Sequence, residues 1–315
     1  MTTFHHALRR HFVFRSLAAW LAAGSMATAA VPAAMAQDGS AAASRTPTGK
    51  VPAAVSVLSI VEHPSLDALR DGLHDELKDA GYQDGKSLHW AYQSAQGNQG
   101  TAVQIARKFV GDRPDVIVPI ATPAAQAVVS ATHQIPVVYN AITDPIAAQI
   151  VKSMAPSGTN VTGVSDKLVA DRQVAFIKRV VPDVKRVGII YSPAEANSVS
   201  ATREMKVALE KQGISLVEVA APRSIDVGQA AQRLVGKVDV IYTSNDNNVI
   251  SAYESVIKVA NTAKIPLICA DRSSVQRGAT GAMAIDYYRM GRQTGRMVLR
   301  ILNGEKPGDI ASETS

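Results

Sequence analysis

Residues 115–126 read Asp115-Val116-Ile117-Val118-Pro119-Ile120-Ala121-Thr122-Pro123-Ala124-Ala125-Gln126. A β-branched apolar run of strand length stops at a small residue. Thr122, a good N-cap, and Pro123, a good first helical residue, then open an alanine-rich helical stretch over 124–132. The pattern recurs downstream. Asp239-Val240-Ile241 echoes Asp115-Val116-Ile117 at an offset of 124 residues, and Ile265-Pro266-Leu267-Ile268 echoes Ile135-Pro136-Val137-Val138 at 130. Gly81 and Gly213, each standing where a helix should stop, are 132 apart. Three landmarks at nearly constant offset predict two lobes built to one plan.

Outward from these runs, short apolar strands alternate with amphipathic helices. Strands are expected at 54–60, 87–93, 115–120 and 135–140, with helices at 65–80, 101–110 and 124–132 between them. Leu66, Leu69, Leu73 and Leu77 share one face of the first helix. The second half repeats strand 186–191, helix 198–212, strand 215–220, helix 229–235 and the two echo strands. Such alternation predicts an α/β protein with two doubly wound parallel-sheet lobes joined by a hinge. Lobe one takes 53–163 plus 282–315 and lobe two 164–281. The chain crosses between them at Asn160–Gly163 and returns at Gly278–Ile285. Ligands of such sheets sit beyond the carboxyl ends of the strands, so two facing lobes enclose a small-molecule cleft that closes about the hinge.

The ends of the chain carry a different message. Residues 1–15 are basic, 16–34 are apolar and alanine-rich, and Ala34-Met35-Ala36 has the small residues of a signal-peptidase site. A signal peptide over 1–36, cleaved after Ala36, predicts a periplasmic product with no membrane span in its mature form. Arg9-Arg10 resembles a twin-arginine signal with Leu8 in place of the usual Ser or Thr. Residues 37–52, rich in Ala, Ser, Gly, Thr and Pro, read as a flexible leader. The whole chain has net charge +6; without its first 36 residues, which hold three arginines and no acid, the charge is +3. That is no footprint for nucleic acid. The single cysteine, Cys269, lies in an apolar strand and reads as an inert buried thiol.

Several runs carry a family resemblance: Glu62-His63-Pro64-Ser65-Leu66-Asp67, Ala121 through Gln126, Thr143-Asp144-Pro145, Asn160-Val161-Thr162-Gly163-Val164-Ser165, Glu195-Ala196-Asn197-Ser198, Ser244-Asn245-Asp246-Asn247 and Gly291-Arg292-Gln293-Thr294-Gly295. In this order and spacing they resemble the type I periplasmic substrate-binding proteins of ABC transporters, in the subgroup described as tryptophan/tyrosine-binding. The resemblance implies delivery of a small molecule, an amino acid of aromatic type, to an ABC permease subunit by a monomer without cofactors. Similar proteins continue beyond a motif like Lys306-Pro307-Gly308-Asp309 into a last crossing. The sequence stops at Ser315, so that third hinge strand is expected short or absent.

Candidate ligand groups follow from strand ends. His63, between the first strand and first helix, stands beside free helix-start N–H groups, although Ser65 would cap that helix equally well. Thr122, Pro123 and Ala124 offer N–H groups and a hydroxyl for a carboxylate, or a plain cap. Thr143 and Asp144 make either a ligand contact or an Asx turn. Lobe two offers Asn197, Ser198, Asp246, Asn247 and Asp271. An α-ammonium needs an anionic acceptor, and Asp271 or Asp246 would serve unless each merely caps a helix. Asp271 ranks first, since it stands where amino-acid binders of this fold carry an acid. Tyr139, Tyr242, Tyr287 and Tyr288 are candidates to face an aromatic ligand.

Enzyme chemistry lacks a signature. There is no nucleophile elbow, Walker A loop or dinucleotide glycine fingerprint, and no paired histidines at zinc spacing. No catalytic residue and no metal site is expected. The competing functional class is an exported hydrolase, or a sensory ligand-binding subunit, using the same cleft.

Overall fold

The computed structural model describes residues 46–315; the expected signal peptide over 1–36 and the expected leader up to residue 45 lie outside the described residues. The first lobe runs β1 (Ala53–Ser59), α1 (Pro64–Asp79), β2 (Leu88–Ser94), α2 (Gln99–Asp112), β3 (Val116–Ile120), α3 (Thr122–Ala131), β4 (Val137–Asn140) and β5 (Val161–Ser165). The second runs α4 (Ala170–Val180), β6 (Arg186–Tyr191), α5 (Ala196–Glu210), β7 (Ser215–Ala220), α6 (Val227–Gln232), β8 (Val240–Thr243), α7 (Asn247–Ser251), α8 (Tyr253–Ala263), β9 (Leu267–Cys269), α9 (Arg272–Arg277) and β10 (Gly281–Ala282). The chain then returns to lobe one as α10 (Tyr287–Leu302) and β11 (Glu313–Thr314).

Every paired strand is parallel. The first sheet has the order β11-β5-β4-β3-β1-β2 and the second β10-β9-β8-β6-β7. The strand order reverses between β1 and β3 in lobe one, and between β6 and β8 in lobe two. The loops that follow these four strands therefore flank a crevice, where ligands of open parallel sheets bind. Helices cover both faces of the second sheet. Val174, Ile177, Val187, Ile189 and Leu209 pack on one side, and Val227, Leu234, Ile241, Tyr253 and Val256 on the other.

The crossing differs from expectation. Asn160–Gly163 does not leave lobe one: Val161–Ser165 is a buried strand of its sheet, and the chain crosses after Ser165. Gly163 serves a close strand approach, since a Cβ there would stand 2.2 Å from the Tyr139 carbonyl oxygen. On the far side of the sheet, β11 pairs with β5 through Glu313↔Val164 and Thr314↔Ser165. The end of the leader is anchored rather than flexible. The Lys50 N–H bonds Leu302 O at 2.9 Å, a carbonyl left without an intrahelical partner at the end of α10. Thr48 reaches Asn303 at 3.1 Å, and the Lys50 ammonium pairs with Asp115.

The return helix explains the Gly291-to-Gly295 run. α10 lies so close to α1 that a Cβ on Gly291 would be 2.0 Å from Leu69 O, and one on Gly72 would be 2.1 Å from Tyr288 O. Arg292 closes this seam with ion pairs to Glu76 at 2.5 Å and Asp79 at 2.6 Å.

Candidate ligand site between the lobes

The strand-end loops of the two lobes meet around a small cavity of about 20 Å³. Its lining includes His63, Thr122, Thr143, Asp166, Asn197, Asn245, Asn247 and Tyr287. Asn247 also lines a larger groove of about 340 Å³ at the mouth. There Ile60, Val61 and Pro123 from lobe one stand with Pro222, Glu195 and Asn248 from lobe two.

Lobe one brings donors. Ala121 precedes α3 with φ 73° and ψ 155°, a strained conformation for a non-glycine residue, and gives no side-chain cap. Thr122 is thereby the first helical residue rather than the cap. Thr122 is 1% exposed and its hydroxyl has no partner, and the N–H groups of Thr122 and Ala124 have no intrahelical acceptor. Ala141, which also lines the cavity, has φ 56°. His63 caps α1 by its backbone only, and its buried Nδ1 is unpartnered. Burial lowers the His63 pKa to about 4, opposed by Asp271 and helped by Arg277, so the ring is neutral at pH 7.

Acceptors come from lobe two and the crossing. Asn197 donates Nδ2 to Asn245 O at 2.9 Å and to Glu195 at 3.2 Å, leaving its buried Oδ1 unpartnered. Asn245 donates Nδ2 to Asp166 at 2.9 Å and likewise keeps a free Oδ1. Asn247 donates to Glu195 at 2.7 Å. Burial, then Asp246 nearby, push the Glu195 carboxyl up to about 7.

Three carboxylates differ in what they have left to accept, and each has about four acceptor positions. Asp246 is filled by Ser192 N, Ser192 Oγ, Ser198 Oγ and Val249 N. Asp271 takes Ser273 Oγ, Ser274 N and Ser274 Oγ on Oδ2 and Ser65 Oγ alone on Oδ1. Both cap helices, and neither lines the cavity. Asp166 takes Asn245 and Tyr287 on Oδ2 and Thr143 on Oδ1, and its own backbone N–H also bonds the carboxylate. It lines the cavity and is 2% exposed, and burial raises its pKa against these hydrogen bonds.

Of the residues singled out from sequence, the structure thus gathers His63, Thr122, Thr143, Asn197 and Asn247 at the cavity and Pro123 at the groove. Ala124, Asp144, Ser198, Asp246 and Asp271 lie outside both linings. Asp144 makes the Asx turn, accepting from Ala147 N at 2.9 Å, and Ser198 serves Asp246. Among the four tyrosines only Tyr287 reaches the cavity. Tyr139 and Tyr242 are core residues, and Tyr288 is on the surface beside Asp75. Cys269 is buried, and that burial raises its pKa to about 11. With 160–163 read as a crossing, Asp166 falls inside a connection; as the residue after the end of β5 it carries the same signal as the others.

The family described as ABC transporter substrate binding protein matches residues 54–315. A tyrosine-binding protein of Clostridioides difficile is 39% identical over 260 residues, covering 82% of this chain and 75% of that protein. The structure of an ABC domain in complex with L-Trp from Streptococcus pneumoniae is 35% identical, covers 84% of this chain and 89% of its own, and superposes with a TM-score of 0.81. A ligand-free, open substrate-binding protein from Clostridium difficile is 38% identical with the same coverage, yet its TM-score is 0.64. At similar identity, the chain superposes better on the L-Trp complex than on the open form. Fold, cleft and family agree: this chain belongs to the ABC transporter substrate-binding proteins, with the two-lobed type I periplasmic binding fold.

Proposed function

We propose that this protein captures an aromatic amino acid as its zwitterion between the lobes and passes it, unchanged, to the permease of an ABC importer. The observation that carries the reading is the sorting of unpartnered buried polar atoms. Thr122 Oγ1 and the first N–H groups of α3 belong to lobe one and suit a carboxylate, with the positive end of the helix dipole behind them. Asn197 Oδ1, Asn245 Oδ1 and the Asp166 carboxylate line the same cavity as three acceptors, the number an ammonium group donates to. Asp166 thus takes the role that the sequence offered to Asp271 or Asp246. The ring extends into the mouth groove, where Ile60, Val61, Pro123 and Pro222 give apolar walls. The tyrosine- and tryptophan-binding relatives support the same ligand class. Export by the signal peptide, a periplasmic monomer and the absence of turnover belong to this reading.

A thermal-shift screen of amino acids, sugars and nucleosides tests it. A ligand at a hundred times its Kd adds about 2.7 kcal/mol of stability. The expected result is a shift with L-Tyr, L-Trp or L-Phe and recovery of the compound intact by mass spectrometry. A response to sugars or nucleosides alone discards the amino-acid reading, and recovery of a converted compound discards the non-catalytic one.

A further inference from the structure

Two aspartates that lie outside the cavity join the lobes directly. Ser65 at the start of α1, in lobe one, donates to Asp271 at the start of α9, in lobe two, and lies 3.1 Å from the Ser273 hydroxyl. On another part of the cleft the roles reverse. Ser200 on α5, in lobe two, donates at 2.9 Å to Asp144 in the loop after β4 of lobe one. We infer that Asp271 with Ser65 and Asp144 with Ser200 are reciprocal latches that hold the cleft closed without touching the ligand.

Each carboxylate is held in place by its own lobe. Asp271 keeps Ser273 Oγ, Ser274 N and Ser274 Oγ, and Asp144 keeps Ala147 N, whatever the partner serine does. Opening therefore removes one donor from a carboxylate already oriented, and water can replace that donor. Both serines are buried in the closed arrangement, Ser65 at 5% and Ser200 at 4% exposure, so the bonds form out of water where a charged acceptor counts most. The groups around them favour ionised acceptors. Burial would raise Asp271, but the hydrogen bonds of Ser65, Ser273 and Ser274 outweigh this and keep its pKa below the usual range. Burial of Asp144 is likewise outweighed by Ala147 N–H, Ser200 and Lys167, whose ammonium stands 4.0 Å away and also pairs with Glu204. The inference rests on lobe closure and not on which ligand is bound.

The test uses Ser65→Ala, Ser200→Ala and the double variant, with dyes on Lys108→Cys in lobe one and Lys237→Cys in lobe two to read the interlobe distance. For a hydrogen bond to a charged group, each single variant should weaken L-tyrosine binding about tenfold and the double about a hundredfold. Most of the change should appear as faster release, with equal losses for L-tryptophan and L-phenylalanine. Wild-type affinity and release in the double variant overturn the latches. So does a loss confined to one ligand, since the aspartates would then contact it. Should the wild type bind none of the three amino acids, the ligand reading falls but the latches remain testable without ligand. A longer mean interlobe distance in the double variant sustains them, and unchanged distances overturn them.

Discussion

Replacing Asp166 with asparagine removes one charge and almost no volume from the cavity. An asparagine at this position fits the existing donors. Its Oδ1 can accept from Asn245 Nδ2 and Tyr287 OH, as Asp166 Oδ2 does now at 2.9 Å each, and its Nδ2 can donate to the Thr143 hydroxyl. The second Nδ2 hydrogen then puts a donor where the carboxylate offered an acceptor, and opposes an ammonium instead of attracting it. Breaking one side of a buried, hydrogen-bonded charge pair costs about 2–5 kcal/mol. With the surrounding bonds kept, the lower part of that range applies, about 2–3 kcal/mol or roughly 30- to 150-fold in Kd. Calorimetry with two ligands isolates the contact. In the wild type, replacing L-tyrosine by 3-(4-hydroxyphenyl)propanoate, which lacks the amine, should weaken binding by about the same factor as Asp166→Asn. In the variant, the same change of ligand should matter little. Unliganded Asp166→Asn should melt close to wild type, because burial already disfavours the charged carboxylate in the folded chain. Independent, additive losses from the variant and from the missing amine would refute the assignment of Asp166 to the ammonium.

Two further outcomes follow from the fold. Gly291→Ala drives a Cβ to 2.0 Å from Leu69 O and should destabilise by at least about 1–3 kcal/mol, whereas Gly111→Ala, with nothing within 4 Å of its Cβ, should stabilise by about 0.5–1 kcal/mol. Urea midpoints that move the same way for both would refute the close helix seam. Glu195 rises from 4.5 to about 7 on folding, so the folded chain keeps a proton there that the unfolded chain has lost. The stability this contributes is complete below pH 4.5 and is lost as pH rises to 7. Glu195→Gln should remove that decline, so its melting temperature should gain on wild type across the window; a constant difference would contradict the buried carboxyl.

Much of the architecture was legible along the chain. Strands β6 and β7 fall where the apolar runs put them, and the echo of Asp115-Val116-Ile117 in Asp239-Val240-Ile241 marks equivalent strands, β3 and β8, of the two sheets. These signals are local: strand length, helix periodicity and stop residues act within a few neighbours. The start of the crossing was not legible. Gly163 looks like a turn residue in sequence, while its reason in the fold is the carbonyl of Tyr139 on the adjoining strand, 24 residues away.

The site divides along the same line. Sequence alone determined that polar residues cluster after strand ends, and thus where the cleft lies and which loops line it. It did not determine which carboxylate reaches the cavity, because Asp166, Asp246 and Asp271 all follow strands and all suit capping or binding alike. Tertiary structure decided that by bringing donors from distant segments. Asp246 takes donors from Ser192, 54 residues away, and Asp271 from Ser65, 206 residues away, and neither lines the cavity, while Asp166 does. A carboxylate has only about four places to accept a hydrogen bond, and how many are taken is a property of the folded neighbourhood, not of the residue or its spacing.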